Sequence, residues 1–365
     1  MKDLGFVRLN SIVKSQAQFY LLFGARDNGK SYAVKERGIK RAIKTGEKFI
    51  LCRRYDTDIK RNRAIRYFRD IEEKIDEWSN GVFDSIDIYA NEIFLCKTTM
   101  KSNGSFTKER LMQCGTILAL NVYEHDKSSA FPNHTMVIYE EFITDNSYLV
   151  DETSKLSHLL STVFRYNDGE CWLIGNTVNR VCPYFSEWGI EKKIFSMKSG
   201  DIVEEFIDGE LTDNDSPTKI VAYYTTPLKK KSRMIIGKAT KNINRGDWAT
   251  HKYPNCCDII NLIRKDTLCY TIYYYHSDNL KFKIEARINE DRGSLFLVVA
   301  PNKLNGKNVE IVVDVVNGKN ESNYIIVRKI PEPYLSLIRY RKDVYFYNDL
   351  TGQDFYQCLK EDSLI

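Results

Sequence analysis

The stretch Phe19–Tyr32, FYLLFGARDNGKSY, constrains the fold of this chain more than any other. Phe19 to Phe23 read as a buried strand that breaks at Gly24 into a short loop. Gly24, Gly29, Lys30 and Ser31 complete G-x-x-x-x-G-K-[ST], and SYAVKERGIKRAIK continues with helical character. In this strand–loop–helix setting the loop amides and helix N-terminus cradle phosphates, Lys30 reaches the β and γ phosphates, and Ser31 helps hold Mg²⁺. Arg26 is a candidate phosphate contact in cis, and Asn28 and Tyr32 complete the expected nucleotide-binding set. An ordinary glycine turn requires neither flank.

A chain of 365 residues is long enough for two or three domains, each with its own core. With 43% hydrophobic and 28% charged residues the composition is that of a soluble globular protein. No apolar run has the length of a membrane span, and MKDLGFVRLN lacks a signal peptide's apolar segment, so a cytoplasmic location with no membrane partner is expected. The nine cysteines form no C-x-x-C pair and no zinc-like spacing with histidine, which favours reduced thiols.

Net charge is only +5, but charge is unevenly distributed along the chain. Arg26 to Arg69 holds fifteen bases against five acids, Glu140 to Asp215 sixteen acids against six bases, and Leu228 to Lys265 ten bases against two acids. Such alternation suits contact with a polyanion on some faces and with partner subunits on others; solvated surface is the competing reading.

A second strand is expected at Glu47–Cys52, followed by a basic helix from Asp58 to about Trp78 carrying Lys60 and Arg61. That helix reads either as lining a DNA channel or as an exposed basic face. Short strands and hairpins fill Asp84 to Leu120, and a polar loop, HDKSSAFPNH, presents Lys127. TMVIYEEF follows, an apolar strand with Glu140 and Glu141 at its C-terminal end, where open α/β sheets place their chemistry. This is a Walker B arrangement: Glu140 assists Mg²⁺, and Glu141 positions the attacking water. Glu140 stands where Asp is usual, one methylene longer. A helix ending at Arg165 and a strand delivering Asn176 supply, on the premise of a real P-loop, an arginine finger for a neighbouring subunit and a γ-phosphate sensor.

Fold and boundaries follow. An N-terminal P-loop ATPase domain with a mostly parallel α/β sheet is expected over residues 1–199. A linker or small subdomain spans 200–254, with Lys229, Lys230 and Lys231 as possible nucleic-acid contacts. A β-rich α/β domain occupies 255–365.

Together FGARDNGKSYAVK, CRRYDTD, HDKSSAFPN, VIYEEF, LLSTVFR and LIGNT resemble the DNA-packaging ATPases of short-tailed phages of the phi-twenty-nine type, over about residues 19–185. The resemblance implies an ASCE-class ATPase domain, a linker, and a C-terminal domain of ribonuclease-H-like fold related to a nuclease. It implies subunits in a pentameric ring at the portal vertex of a prohead, in the host cytoplasm rather than the mature virion. ATP and Mg²⁺ would serve as cofactors. Double-stranded DNA and the portal, with a structural RNA in the type member, would be partners. Lys30 and Ser31 match the Walker A pair, Glu141 the catalytic glutamate, Arg165 the arginine offered in trans, Asn176 the residue after the third core strand, and Lys127 a family lysine. The family's DNA-gripping lysine falls on Asp56, which passes any grip there to Lys60 or its neighbours. Two other readings stand: another P-loop translocase or helicase, and a non-hydrolysing, nucleotide-ordered DNA-binding portal component.

Overall fold

Parallel pairing between strands far apart in sequence builds the larger of two sheets. The computed structural model describes residues 6–102, 104–122, 129–165, 168–207, 217–228, 238–256, 267–289, 293–302 and 330–365. The strands are β1 (Phe19–Gly24), β2 (Lys48–Arg53), β3 (Ser85–Tyr89), β4 (Glu92–Met100), β5 (Phe106–Ala119), β6 (His134–Glu140), β7 (Glu170–Ile174), β8 (Ile202–Ile207) and β9 (Thr218–Thr225). They lie in the order β3-β4-β5-β2-β6-β7-β1-β9-β8. The six central strands, β5 to β9 in that order, are parallel throughout. Antiparallel pairs occur only toward the edges.

Both faces of this sheet are covered, which is why the central strands read as continuous apolar runs rather than alternating ones. Leu22, Leu51, Ile138 and Ile174 point to one face and pack against Ile12 of α1 (Asn10–Val13), Val34 and Ile39 of α2 (Lys30–Thr45), and Phe68, Ile71 and Ile75 of α3 (Arg61–Trp78). Leu21, Phe23, Ile50, Val137 and Leu173 point to the other, against Leu156, Leu159 and Leu160 of α4 (Glu152–Val163) and Tyr184 and Phe185. The topology places β7 between the P-loop strand β1 and the acidic strand β6. The loops after these three strands therefore meet at one end of the sheet, the end where open α/β folds bind ligands.

The expected boundary at residue 199 is displaced. Both β8 and β9 belong to the first sheet, and β9 pairs in parallel with β1 along its whole length, from Phe19↔Ile220 to Gly24↔Thr225. The helix Lys238–Arg245 and the turn after it add Ile243, Trp248 and Ala249 to the same core. Most of the described part of the segment read as a linker is thus integral to the first domain. The reason is local: Ile220–Tyr224 is a short apolar run between polar turns, and only its pairing with a strand some 200 residues earlier makes it a core element.

The C-terminal unit is β-rich α/β. Strands β10 (Thr267–Tyr275), β11 (Lys281–Asn289) and β12 (Ser294–Pro301) form an antiparallel meander, and β13 (Val344–Phe346) joins β12 in parallel. Its separate core gathers Ile284, Leu297, Val299 and Phe346 under the helices Tyr334–Arg339 and Asp349–Glu361. The strands expected at VEIVVDVV and NYIIVRKI lie outside the described residues. The two cores meet through a buried ion pair, Arg180 Nη2 to Asp354 Oδ2 at 2.5 Å, and through Glu191, which accepts from Ser277 and Asn279.

Candidate nucleotide site

The P-loop conformation is fixed by two close approaches. A Cβ on Gly24, whose φ is +139°, would lie 2.5 Å from the Thr225 carbonyl oxygen, and one on Gly29, φ +84°, would lie 2.9 Å from the Phe6 ring. Only glycine satisfies both the backbone and the space at these positions. The loop rests on β9 on one side and on the N-terminal segment on the other, where Val7 N–H donates to the Asn28 carbonyl at 3.0 Å.

Asn28 is 1% exposed and serves as a strut. Its amide donates to Thr225 Oγ1 at 2.8 Å and to the Thr226 carbonyl at 2.9 Å, while its Oδ1 accepts from Lys30. The Lys30 ammonium also donates to the Ala25 carbonyl at 2.5 Å and to Asn176 Oδ1 at 3.2 Å. The expected Walker A lysine and the expected sensor thus touch, although 146 residues separate them.

At the end of β6, Glu140 is buried and accepts from Ser31 Oγ at 3.1 Å and from the Tyr67 hydroxyl at 2.5 Å. Burial pushes its carboxyl above the ordinary range, opposed by those two hydrogen bonds and by Arg53 and Lys35. A hydroxyl and a carboxylate oxygen side by side form a hard-oxygen pair that fits Mg²⁺, which binds through one or two protein oxygens together with phosphate and water. The longer side chain of Glu140 reaches Ser31, so the departure from Asp does not open a gap.

Glu141 follows with φ +60°, a left-handed conformation uncommon for a non-glycine residue and frequent at functional sites. Its carboxylate, 63% exposed, pairs with Arg53 Nη2 at 3.0 Å. Behind it Arg54 donates to the Glu141 and Phe142 carbonyls, each at 3.0 Å, and forms a two-pronged pair with Glu152 at 2.7 and 3.0 Å. Glu152 accepts in addition from Tyr139, Tyr184 and the Leu149 amide. The backbone that carries Glu141 is therefore fastened to a fully buried polar network.

Asn28, Lys30, Ser31, Glu140, Glu141 and Asn176 line a cavity of about 780 Å³ with Arg26, Gly29, Tyr32, Glu36, Asp70 and Phe6 at its walls. That volume is in the range of ligand sites for molecules of nucleotide size. Arg165 does not line it: the side chain is exposed just past the C-terminal end of α4. Lys60 precedes α3 and is exposed, as expected. Arg61 is exposed too, and its guanidinium donates to the Ile88 carbonyl and Asp87, both at 2.7 Å, which ties the start of α3 to β3. Lys127, Lys229, Lys230 and Lys231 lie outside the described residues. Sequence reasoning missed Tyr67, Arg53 and Thr225; only the dipeptide Arg53-Arg54 at the end of β2 offered a signal.

Burial pulls the Lys30 ammonium down to about 8, with Glu140 and Asp27 opposing. Nucleotide phosphates restore the charged form, so binding takes up a proton once the pH exceeds the value in the free protein. Nucleotide affinity is expected to be flat below about pH 8 and to fall by up to about tenfold per unit above it. Titration with a fluorescent nucleotide between about pH 6.5 and 9.5, roughly one and a half units on either side of that point, reads this directly; an affinity that rises with pH refutes it.

Residues 2–204, more than half of the chain, match the family described as Podovirus DNA encapsidation protein (Gp16). The chain belongs to this family. Within it, the DNA packaging protein of Bacillus phage B103 is 35% identical over 255 residues, covering 62% of this chain and 73% of that protein. The DNA packaging protein of Bacillus phage phi29 is 33% identical over 168 residues, or 45% of this chain and 44% of that one. In fold, the chain is similar to the bacteriophage Phi-29 viral genome packaging motor assembly, with a TM-score of 0.51 at 18% identity over 98% of this chain and 99% of that one. The protein combines a mostly parallel α/β sheet with a β-rich C-terminal unit.

Proposed function

We propose that this encapsidation protein is the ATP-hydrolysing motor that moves double-stranded viral DNA into a preformed prohead. One observation carries the reading. Lys30, Ser31, Glu140, Glu141 and Asn176, brought from three different strand ends, surround a single cavity of nucleotide size. The DNA packaging proteins of phages B103 and phi29 support the choice of DNA as cargo.

In this reading the loop amides and Lys30 bind the phosphates. Mg²⁺, when bound beside Ser31 and Glu140, neutralises developing charge on the phosphates. Glu141 orients the attacking water and accepts its proton, which requires its carboxylate to leave Arg53 and turn into the cavity. Asn176 holds Lys30 and meets the γ phosphate. Arg165, exposed and outside its own cavity, offsets transition-state charge in the site of the next subunit of a homo-oligomeric ring, a pentamer by resemblance. The ring works at the portal vertex. Lys60, exposed just before α3, is a candidate DNA contact.

Phosphate release measured with and without duplex DNA and proheads tests the proposal. Wild type is expected to release phosphate, faster with both present. Glu141→Gln is expected to lose about a hundredfold or more in turnover while still binding nucleotide, and Lys30→Ala to lose binding as well. Binding without phosphate release by wild type in the presence of proheads and DNA would favour a nucleotide-ordered structural component instead.

A further inference from the structure

A second depression adjoins the nucleotide cavity and has a different chemistry. It is a groove of about 1100 Å³ between the N-terminal segment and the outer face of α2. Arg8 and Lys14 stand on one wall, and Arg37, Lys40, Arg41 and Lys44 on the other. The four on α2 fall at i, i+3, i+4 and i+7, a single stripe along the helix.

The stripe is prearranged. Glu170 at the start of β7 takes Arg37 in a two-pronged pair at 2.8 and 3.0 Å and Arg41 at 2.7 Å. Glu47 also pairs with Arg41, and Lys40 lies over the Trp78 ring at 4.6 Å and pairs with Glu36. Arg8 aside, five cations meet three carboxylates among the described residues, which leaves the groove positive there, and Lys14 and Lys44 are exposed at its rim. An elongated, positive channel with fixed guanidinium groups suits a run of phosphates rather than one compact anion.

We infer that this groove binds the phosphodiester backbone of a duplex nucleic acid. The inference rests on the motor reading only for the kind of polyanion. Val7, Ala33 and Glu36 line both this groove and the nucleotide cavity. A backbone seated here lies against the segment whose Val7 amide holds the P-loop, so the same strip of protein meets both ligands.

The test is salt-dependent binding of the full chain to short fluorescein-labelled duplexes, one of DNA and one of RNA, followed by anisotropy. For Lys14→Ala/Lys44→Ala, the slope of log affinity against log salt is expected to become shallower by about two units, one for each lysine that no longer neutralises a phosphate. Affinity at about 0.1 M salt should fall at least about tenfold. Loss on one duplex alone assigns the groove to that nucleic acid, and loss on both assigns it to the shared backbone. An unchanged slope on both duplexes overturns the inference, as does an equal loss in a control carrying Lys192→Ala/Lys342→Ala, two exposed lysines outside the groove. ATP hydrolysis by the same preparations is read separately. A chain that hydrolyses ATP while the groove variant keeps its slope sinks the groove and leaves the motor reading standing.

Discussion

Arg165→Ala is expected to cut ATP hydrolysis by the assembled ring about a thousandfold or more while leaving nucleotide binding by the isolated chain unchanged. The size follows from what an arginine contributes when it meets the transferring phosphoryl group of a neighbour's nucleotide. The direction follows from geometry. The residue is exposed just past the end of α4 and does not line the cavity of its own chain, which gathers the other residues proposed for hydrolysis. An isolated subunit should accordingly hydrolyse ATP slowly. Mixing Lys30→Ala with Arg165→Ala subunits gives the sharper result. If the arginine acts across an interface, some sites in the mixed ring combine an intact P-loop with an intact arginine, and activity partly returns. No recovery, or full activity in a ring of Arg165→Ala alone, would remove Arg165 from the mechanism.

The second large effect concerns stability. Arg54→Leu strands the Glu152 carboxylate, whose side chain is 0% exposed, without its cation. Breaking a buried pair from one side costs about 3–5 kcal/mol. Urea unfolding followed by tryptophan fluorescence should show a loss of that order. Arg54→Leu/Glu152→Gln should recover a good part of it, because the remaining amide still receives hydrogen bonds from Tyr139 and Tyr184. Arg54 also holds the Glu141 carbonyl, so the single variant should lower turnover even where it remains folded. Equal stability of wild type and Arg54→Leu would show that the network contributes little.

The parts of the site legible in the sequence are those whose signal is local. β1 ends at Gly24, β6 ends in Glu140, and β7 ends just before the Gly175-Asn176 turn, because a buried parallel strand announces itself by an apolar run and a turn residue. Residues that reach the site through topology gave no such signal. Tyr67 lies on α3 and meets Glu140, 73 positions later in the chain, only because α3 packs beside α2 on that face of the sheet. Thr225 lay in the middle of the segment read as a linker, yet it braces Asn28 from 197 positions away. The ion pair of Arg61 with Asp87 was equally silent in the sequence, because β3 comes to the start of α3 only through the packing of the hairpin. β13, three residues long, is too short to declare itself beside the longer strands.

The pairing of β1 with β9 has a consequence for biosynthesis. The P-loop emerges early from the ribosome, but the strand that flanks it and the threonine that holds Asn28 arrive about 200 residues later. Until then β1 is an edge strand with a row of unpaired amides and carbonyls, the kind of surface that recruits other chains. The loop therefore gains its brace only once β9 has been made, at the point where β1 ceases to be an edge strand. The candidate site thus has its full set of supports only in chains made at least as far as Thr225.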